Sequence, residues 1–406
     1  MLREGRSARA RRAEEILALL FAAAVVVAGG AAIYFVSTIS VHSDPAAVPS
    51  KAAATAERYA SAVEEARRLA RSLVVDQNLP GLSVAVGMDG EIAWAEGFGW
   101  ADIARREPVT PVTRFRIGTV AIPLTSAAVG LLHDRGSIDL DAPVQRYLPE
   151  FPEKQWPISA RQVMGHVAGI RHGRGSTEAM PNRHCASIDQ VLPVFSGDPL
   201  IFRPGTEYRY STYDWILVSA VVEAAAKVPF VAFLNQEILR PLGMFGTVPD
   251  DTGDVSARTS FYFPRAAQRP DLGVQDAPSA DYSCYAASGA FLSTPSDLVR
   301  FAAAMMKPGF LKPETVAFLQ TPLKLESGAS TNYALGWNVE NVQLDGANAR
   351  MVGHRGSSMG GTTSLMTFPD RGLSVAVTSN ISYAKGIEPF GLKAVEAFSR
   401  LPARKF

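Results

Sequence analysis

The sequence predicts a mixed α/β (α+β) fold in which both ends of the chain contribute strands to one sheet, with helices on its faces. Two observations support this prediction. Strand-like patterns occur at 82–97 and return after Pro322, whereas helical patterns dominate the stretch between them. The dipeptide Asp89-Gly90 between two apolar runs is a strong hairpin signal. We therefore expect one large domain over 52–406, with a helical insertion at about 134–320.

The N-terminus has the pattern of a membrane anchor. A basic segment, 1–15, carries five of the arginines and precedes the apolar run 16–36. A bilayer-crossing helix needs about 20 apolar residues, and the apolar core of a secretory signal is usually shorter, so an uncleaved single-pass anchor is favoured. Arginines before the run place the N-terminus in the cytoplasm. For a bacterial source, the linker 37–51 and the domain would then lie on the periplasmic side of the inner membrane.

Charge and cysteine usage exclude some classes of function. The formal net charge is +1, which argues against nucleic acid as a partner. No spacing of Cys and His resembles a zinc site, and we expect neither a metal nor a cofactor. Cys185 and Cys284 could form one disulfide in an oxidising compartment, but the sequence favours two separate buried thiols.

The first half of the predicted domain combines a hairpin with two helices. The segment 52–75 has apolar residues at helical spacing, and strands follow at 82–87 and 91–97. A short strand at 114–117 runs through Gly118, which permits a tight turn, into a buried helix whose first turn holds Pro123. Thr119 therefore lies at a helix N-terminus, where backbone N–H groups favour a developing anion.

The second half begins with short helices and ends with strands. Helical patterns cover 138–149, 159–170, 214–226 and 294–306, and the stretch 250–285 is loop-like. Strands are predicted at 333–339, 349–352, 362–368 and 373–380, and a helix at 388–400 closes the chain.

Three short features carry candidate chemistry, although each is weak evidence alone. They are Thr119-Val-Ala-Ile122, Tyr210-Ser-Thr212, and His354-Arg-Gly356-Ser357 in a glycine-rich stretch. Gly356-Ser-Ser-Met-Gly360 also matches a nucleophile elbow, but a strand pattern follows it and no histidine does, so we reject that interpretation. A Ser-x-x-Lys pattern, Ser382-Tyr-Ala-Lys385, lies in a polar loop without a buried helix, and we attribute it to chance.

Together, in this order and setting, the three features resemble the three motifs of the serine beta-lactamase and penicillin-binding protein family, and its class C branch in particular. Flanking stretches such as Pro80-Gly-Leu and Gly165-His-Val-Ala-Gly169 agree with this resemblance. The resemblance implies an antiparallel sheet flanked by helices plus an all-helical subdomain. The site would lie in the cleft between the two and would take a small-molecule or peptide ligand.

The family mechanism assigns a role to each matching position. Thr119 occupies the position of the nucleophilic serine, Ile122 that of the lysine base, and Tyr210 that of the tyrosine that shares proton transfer. His354 and Gly356 begin the third motif. The resemblance further implies an oxyanion hole formed by the amides of Thr119 and Ser357, and Thr212 stands where many members have asparagine.

Two departures from the family pattern leave three hypotheses open. Thr119 keeps a hydroxyl, but its methyl group restricts χ1. Ile122 has no proton acceptor, and losing a general base typically costs about 10²–10⁴ in rate. The chain could be a pseudoenzyme that retains a binding cleft, a weak hydrolase of an ester, amide or lactam using Thr119 and Tyr210, or a structural envelope protein. The paired changes favour the first hypothesis.

Overall fold

The computed structural model describes residues 2–36, 39–173, 184–250, 257–266 and 268–401. The first helix, α1, spans Leu2–Val36, and its apolar side chains Leu17 and Phe21 are 71% and 72% exposed. Within the described residues, no single helix is long and apolar enough to cross a membrane. One bent pair, Thr212–Ala226 with Phe230–Leu239, has the necessary length and composition, and nothing beyond these two properties marks it as a span.

An antiparallel sheet of eight strands forms the centre of the domain and confirms the predicted fold class. The strands in chain order are β1 Ser50–Ala52, β2 Gly81–Met88, β3 Glu91–Asp102, β4 Glu107–Pro108, β5 Phe115–Arg116, β6 Val248–Pro249, β7 Tyr262–Pro264, β8 Val274–Asp276, β9 Phe291–Ser293, β10 Asn338–Leu344, β11 Ala347–Ser358, β12 Gly361–Phe368 and β13 Leu373–Ser379. The spatial order is β1-β3-β2-β13-β12-β11-β10, with β4 beside β3. The two ends of the chain meet where β2 pairs with β13, for example at Val84 and Val377.

Helices cover both faces of this sheet. After α1, the helices are α2 Ala60–Asp76, α3 Ala121–Asp134, α4 Ala160–Met164, α5 Thr212–Ala226, α6 Phe230–Leu234, α7 Ala286–Gly289, α8 Pro295–Met306, α9 Pro313–Leu319 and α10 Ile387–Ser399. The helices α2 and α10 enclose one core, in which Trp94 packs against Phe98 and Phe398. A second core lies between the other face and the helices α3, α5 and α8. Because both faces are covered, all eight residues of β2 are buried.

Several local predictions are wrong, and each has a physical reason. Residue 52 belongs to the edge strand β1, because Ala52 pairs with Glu96, and α2 begins only at Ala60. The strand expected at 333–339 begins instead at Asn338, since Gly336 adopts a positive φ of 96° and turns the chain. The stretch 250–285, expected to be a loop, contains the small hairpin of β7 and β8.

The two cysteines form a disulfide, so the expectation of separate thiols is wrong. Cys185 and Cys284 are 99 residues apart in sequence, and their Cα atoms lie 4.9 Å apart. Cys284 lies in the 3₁₀ turn Ser283–Tyr285, which leads into α7, and Gly289 at the end of that helix lies next to Gly118. The disulfide therefore ties a distant part of the helical insertion to a segment that supports the turn before α3.

Candidate active site

A cavity of about 790 Å³ opens between the sheet and the helical part of the chain. Six of the seven residues singled out from the sequence line it: Thr119, Tyr210, Thr212, His354, Gly356 and Ser357. The seventh, Ile122, is fully buried in the hydrophobic core and is not part of the cavity wall. The folded chain thus brings together residues that lie as far as 238 positions apart in sequence (119 and 357).

Two glycines allow the turn before α3 to approach β11 closely. Gly118 has a φ of +51° in the 3₁₀ turn Gly118–Val120, and a Cβ atom there would lie 2.6 Å from the Ser357 carbonyl oxygen. A Cβ atom on Gly356 would lie 2.1 Å from the Ile117 carbonyl oxygen. Any side chain at either position would push the two segments apart. The close approach brings Thr119 and Ser357 together in the wall of the cavity.

The Thr119 hydroxyl is hydrogen-bonded to a backbone carbonyl group, which cannot remove its proton. Thr119 is half-buried, and its Oγ1 donates a hydrogen bond of 2.9 Å to the carbonyl oxygen of Arg355. A backbone carbonyl orients a hydroxyl but is no general base. One helical turn later, the side chain of Ile122 offers only apolar atoms. The sequence resemblance assigns the base to position 122, and the isoleucine there has no proton acceptor.

The Tyr210 phenol is protonated at neutral pH. Its ring is partly exposed to the cavity, while its hydroxyl is buried and has no hydrogen bond of good geometry. Burial raises the pKa of Tyr210, and the neighbouring Thr119 hydroxyl lowers it only in part. A neutral phenol can donate a proton to a leaving group but cannot remove one from Thr119.

His354 is also neutral. Burial lowers its pKa to about 4. Its Nδ1–H donates to the Arg355 carbonyl oxygen at 2.7 Å, so Nε2 is left to accept from the Tyr333 hydroxyl at 3.1 Å. Both ring nitrogens are occupied, and His354 contributes no positive charge to the cavity.

Sequence reasoning missed a buried histidine behind Tyr210. His166 Nδ1 lies 2.6 Å from an Asp214 carboxylate oxygen and 3.2 Å from the Ser211 backbone nitrogen, and Trp215 directs its Nε1–H at His166 Nε2 at 3.3 Å. The His166 ring lies 4.4 Å from the Tyr210 ring, centroid to centroid, and burial lowers the pKa of His166. His166 stands in a stretch that had been noted only as flanking the motifs, and its partner is 48 residues away, so no local pattern indicated the pair.

The rim of the cavity also contains charged and aromatic residues that the sequence did not reveal. Tyr208 and Tyr333 line the wall beside Tyr210, and Arg355 and Lys385 line the side nearest α10. Arg355 forms ion pairs with Glu340 and Glu388. Within the described part of the chain, no group of three or more His, Cys, Asp or Glu side chains could hold a metal ion.

Comparison with known proteins agrees with this architecture. A sequence model of the family named Beta-lactamase matches residues 66–396. The chain is 27% identical to the mitochondrial serine beta-lactamase-like protein LACTB of Homo sapiens, over 84% of this chain and 80% of that protein. It is 30% identical to the esterase EstB of Burkholderia gladioli, over 84% of this chain and 94% of the esterase.

Solved structures show the same fold. The octameric penicillin-binding protein homologue from Pyrococcus abyssi superposes with a TM-score of 0.70 at 19% identity. The superposition covers 83% of this chain and 77% of that one. At this level of identity the likeness concerns the fold and not the chemistry.

Proposed function

This chain belongs to the beta-lactamase family, and we propose that it is a membrane-anchored member that binds acyl or peptide-like ligands in its cleft and is impaired in acyl transfer. One observation carries the proposal: a fully buried isoleucine, Ile122, stands where the base of the nucleophile belongs. Two other side chains of the cavity, the Tyr210 phenol and the His354 imidazole, are also unsuited to that task. The first is protonated and the second has both nitrogens engaged.

The expected loss of activity follows from general acid–base catalysis. A missing general base typically costs about 10²–10⁴ in rate. The methyl group of Thr119 adds to this loss because it restricts χ1 and crowds the attack on an acyl carbon. The losses at 119 and 122 are not additive, since the two residues act as one unit.

Ligand binding requires hydrogen-bonding groups and an accessible cleft but no general base, and the cavity offers both. Thr119 and Ser357, whose amides the family resemblance assigns to an oxyanion hole, both line the cavity beside the close contact of Gly118 with Ser357, which supports binding of a carbonyl oxygen there. Thr119 and Ser357 remain accessible to a ligand. Relatives named as an esterase and a penicillin-binding protein support esters, amides or lactams as the ligand class.

Three features support a location of the domain outside the cytoplasmic membrane, with α1 as the anchor. Apolar side chains of α1, among them Leu17 and Phe21, are largely exposed, and a bilayer would cover them. The arginines that precede the run 16–36 favour a cytoplasmic N-terminus. The disulfide of Cys185 and Cys284 suits an oxidising compartment.

Binding is tested with the full chain in detergent and a fluorescent penicillin, followed by fluorescence anisotropy. We expect saturable binding that an unlabelled penicillin reverses. The variant Ser357→Tyr fills the cleft and should weaken binding at least tenfold. Ser327→Tyr, at an exposed position outside the cavity, is the matched control. Wild-type protein that shows no saturable binding would refute the binding function and favour a structural envelope role.

A second candidate function is weak hydrolysis through Thr119 and Tyr210. The observation that favours it is the proximity of the two hydroxyls in one open cavity. A residual oxyanion hole can support slow catalysis without a complete set of catalytic residues. Labelling of Thr119 by a fluorophosphonate, absent in Thr119→Val, would favour this function over the first.

A further inference from the structure

The segment that follows α1 is fixed to the surface of the domain. Asn78 donates its side-chain amide to the Ile39 carbonyl oxygen at 2.8 Å and accepts the Val41 N–H at 2.7 Å. Residues 50–52 then pair with β3 as the edge strand β1. Ile39 is the third residue after Val36, the last of α1. Because an extended chain spans at most about 3.6 Å per residue, Ile39 lies within about 11 Å of the end of α1.

A groove of about 1270 Å³ begins at this part of the surface. Ile39 and Val41 belong to its wall, together with residues 102–105, 258–262 and 274–280. Among the described residues, none lines both this groove and the cavity of the candidate active site. The groove is therefore a second cavity, and it lies beside the end of α1.

The wall of the groove contains a strip of apolar side chains. Ile39 is 51% exposed, and the strip continues with the half-buried Val41, Ile103, Phe261 and Val274. Covering such side chains with hydrocarbon is favourable in proportion to the apolar area removed from water. With α1 as the membrane anchor, the acyl chains of the bilayer are the nearest source of that hydrocarbon.

The groove also presents one cation that forms no ion pair within the described part of the chain. It is Arg258, whose guanidinium carbon lies 5.6 Å from the centre of the Phe261 ring. Arg105 and Arg116, also in the wall, are each paired with a carboxylate, at 3.2 and 2.6 Å. Asp276, exposed at the rim, likewise has no ion-pair partner among the described residues. A guanidinium, a carboxylate and an apolar strip complement the phosphate, the ammonium and the acyl chain of a zwitterionic phospholipid.

We propose that this groove binds a zwitterionic phospholipid of the membrane that holds α1, with the phosphate at Arg258 and an acyl chain along the apolar strip. The inference rests on anchoring by α1, which is part of the proposed function. A soluble phosphate ester carries the same charged group but leaves the apolar side chains uncovered, so the strip favours a lipid. The bound lipid holds this side of the domain on the bilayer surface.

The experiment is photocrosslinking in a membrane. The full chain is reconstituted into phosphatidylcholine vesicles that contain a small fraction of a phosphatidylcholine with a diazirine near the ester end of one acyl chain. After irradiation and proteolysis, mass spectrometry locates the crosslinked peptides. We expect crosslinks in α1, which serve as the internal standard, and in the peptide that contains Phe261.

Variants of the groove test the roles given to its side chains. Arg258→Met should lower groove crosslinking relative to α1 by about tenfold, because a charged hydrogen bond is lost, whereas Arg258→Lys should keep most of it. Ile39→Glu puts a carboxylate on the exposed part of the apolar strip and should abolish crosslinks in the groove but not in α1. Arg240→Met changes an exposed arginine outside the groove and should match wild type.

The outcomes separate this inference from the proposed function. If α1 itself is not crosslinked, the anchoring is wrong, and the lipid site falls with it. Crosslinks in α1 but none in the groove would overturn the inference alone, as would groove crosslinking that Arg258→Met leaves unchanged. Loss of groove crosslinks on addition of glycerophosphocholine, which has no acyl chains, would mean that the groove binds soluble phosphate esters and not a lipid.

Discussion

Replacing Ile122 by lysine and Thr119 by serine should restore hydrolysis of activated esters. Ile122 follows Thr119 by about one helical turn of α3, and the family resemblance places the lysine base at this position. Restoring a general base should raise the rate by about 10²–10⁴ over wild type. The new ammonium group would be desolvated, which lowers its pKa, so activity should increase with pH as that group loses its proton.

The substitution also costs stability, and the structure indicates how much. Ile122 is fully buried, so lysine at this position buries an amine, and a pKa lowered by up to about 3–5 units corresponds to about 4–7 kcal/mol. Since proteins are commonly stable by about 5–15 kcal/mol, the folding of the double variant is verified before its activity is measured. Ile122→Met keeps the apolar volume and is the control for packing.

The assay is release of a chromophore from a p-nitrophenyl ester by purified full-length variants of verified folding. We expect the double variant to be active, Thr119→Ser alone to gain little, and Ile122→Met to match wild type. A folded double variant that stays inert over a broad pH range would show that these two positions are not the nucleophile and base.

Three further predictions follow from the same structure. In the reactivated double variant, Tyr210→Phe should lower the rate of ester hydrolysis by about 10² because leaving-group protonation is lost, and an unchanged rate would exclude Tyr210 from the reaction. His354 has a folded-state pKa of about 4 against an ordinary value of 6.5. The folding stability that the neutral imidazole contributes is therefore fully present above pH 6.5 and is lost as the pH falls towards 4. Urea unfolding at several pH values should therefore show that His354→Gln removes on the order of 3 kcal/mol of pH-dependent stability in this window, while the exposed His133→Gln does not. Replacing Cys185 and Cys284 together by serine should cost about 2–5 kcal/mol in non-reducing urea unfolding, and equal midpoints would mean that the disulfide does not form in solution.

Local sequence patterns predict the parts of the site that lie on single elements. Gly118 and Pro123 mark a turn and a helix start. These two signals predict that Thr119 lies at the N-terminus of the helix and that Ile122 follows about one turn later. The hairpin at Asp89-Gly90 is likewise predicted by its turn residues, and the strands after Pro322 are predicted by their strand-like residue patterns.

Contacts between distant segments could not be predicted in this way. The disulfide of Cys185 with Cys284 and the pair of His166 with Asp214 depend on how the helical insertion folds back, which periodicity does not encode. Lys385 lies in a loop whose sequence looked incidental. Its place in the cleft results from hydrogen bonds of Ser382 to the neighbouring turn.

The central claim is that the cleft binds its ligand while the residue at 122 prevents acyl transfer. Intact-protein mass spectrometry of the wild-type full chain, incubated with a penicillin at a concentration that saturates the anisotropy signal, tests this claim directly. We predict an unchanged protein mass for wild type and a mass increase of one penicillin for the double variant at 119 and 122. Stoichiometric acylation of wild-type Thr119 at the rate of the double variant would contradict the account.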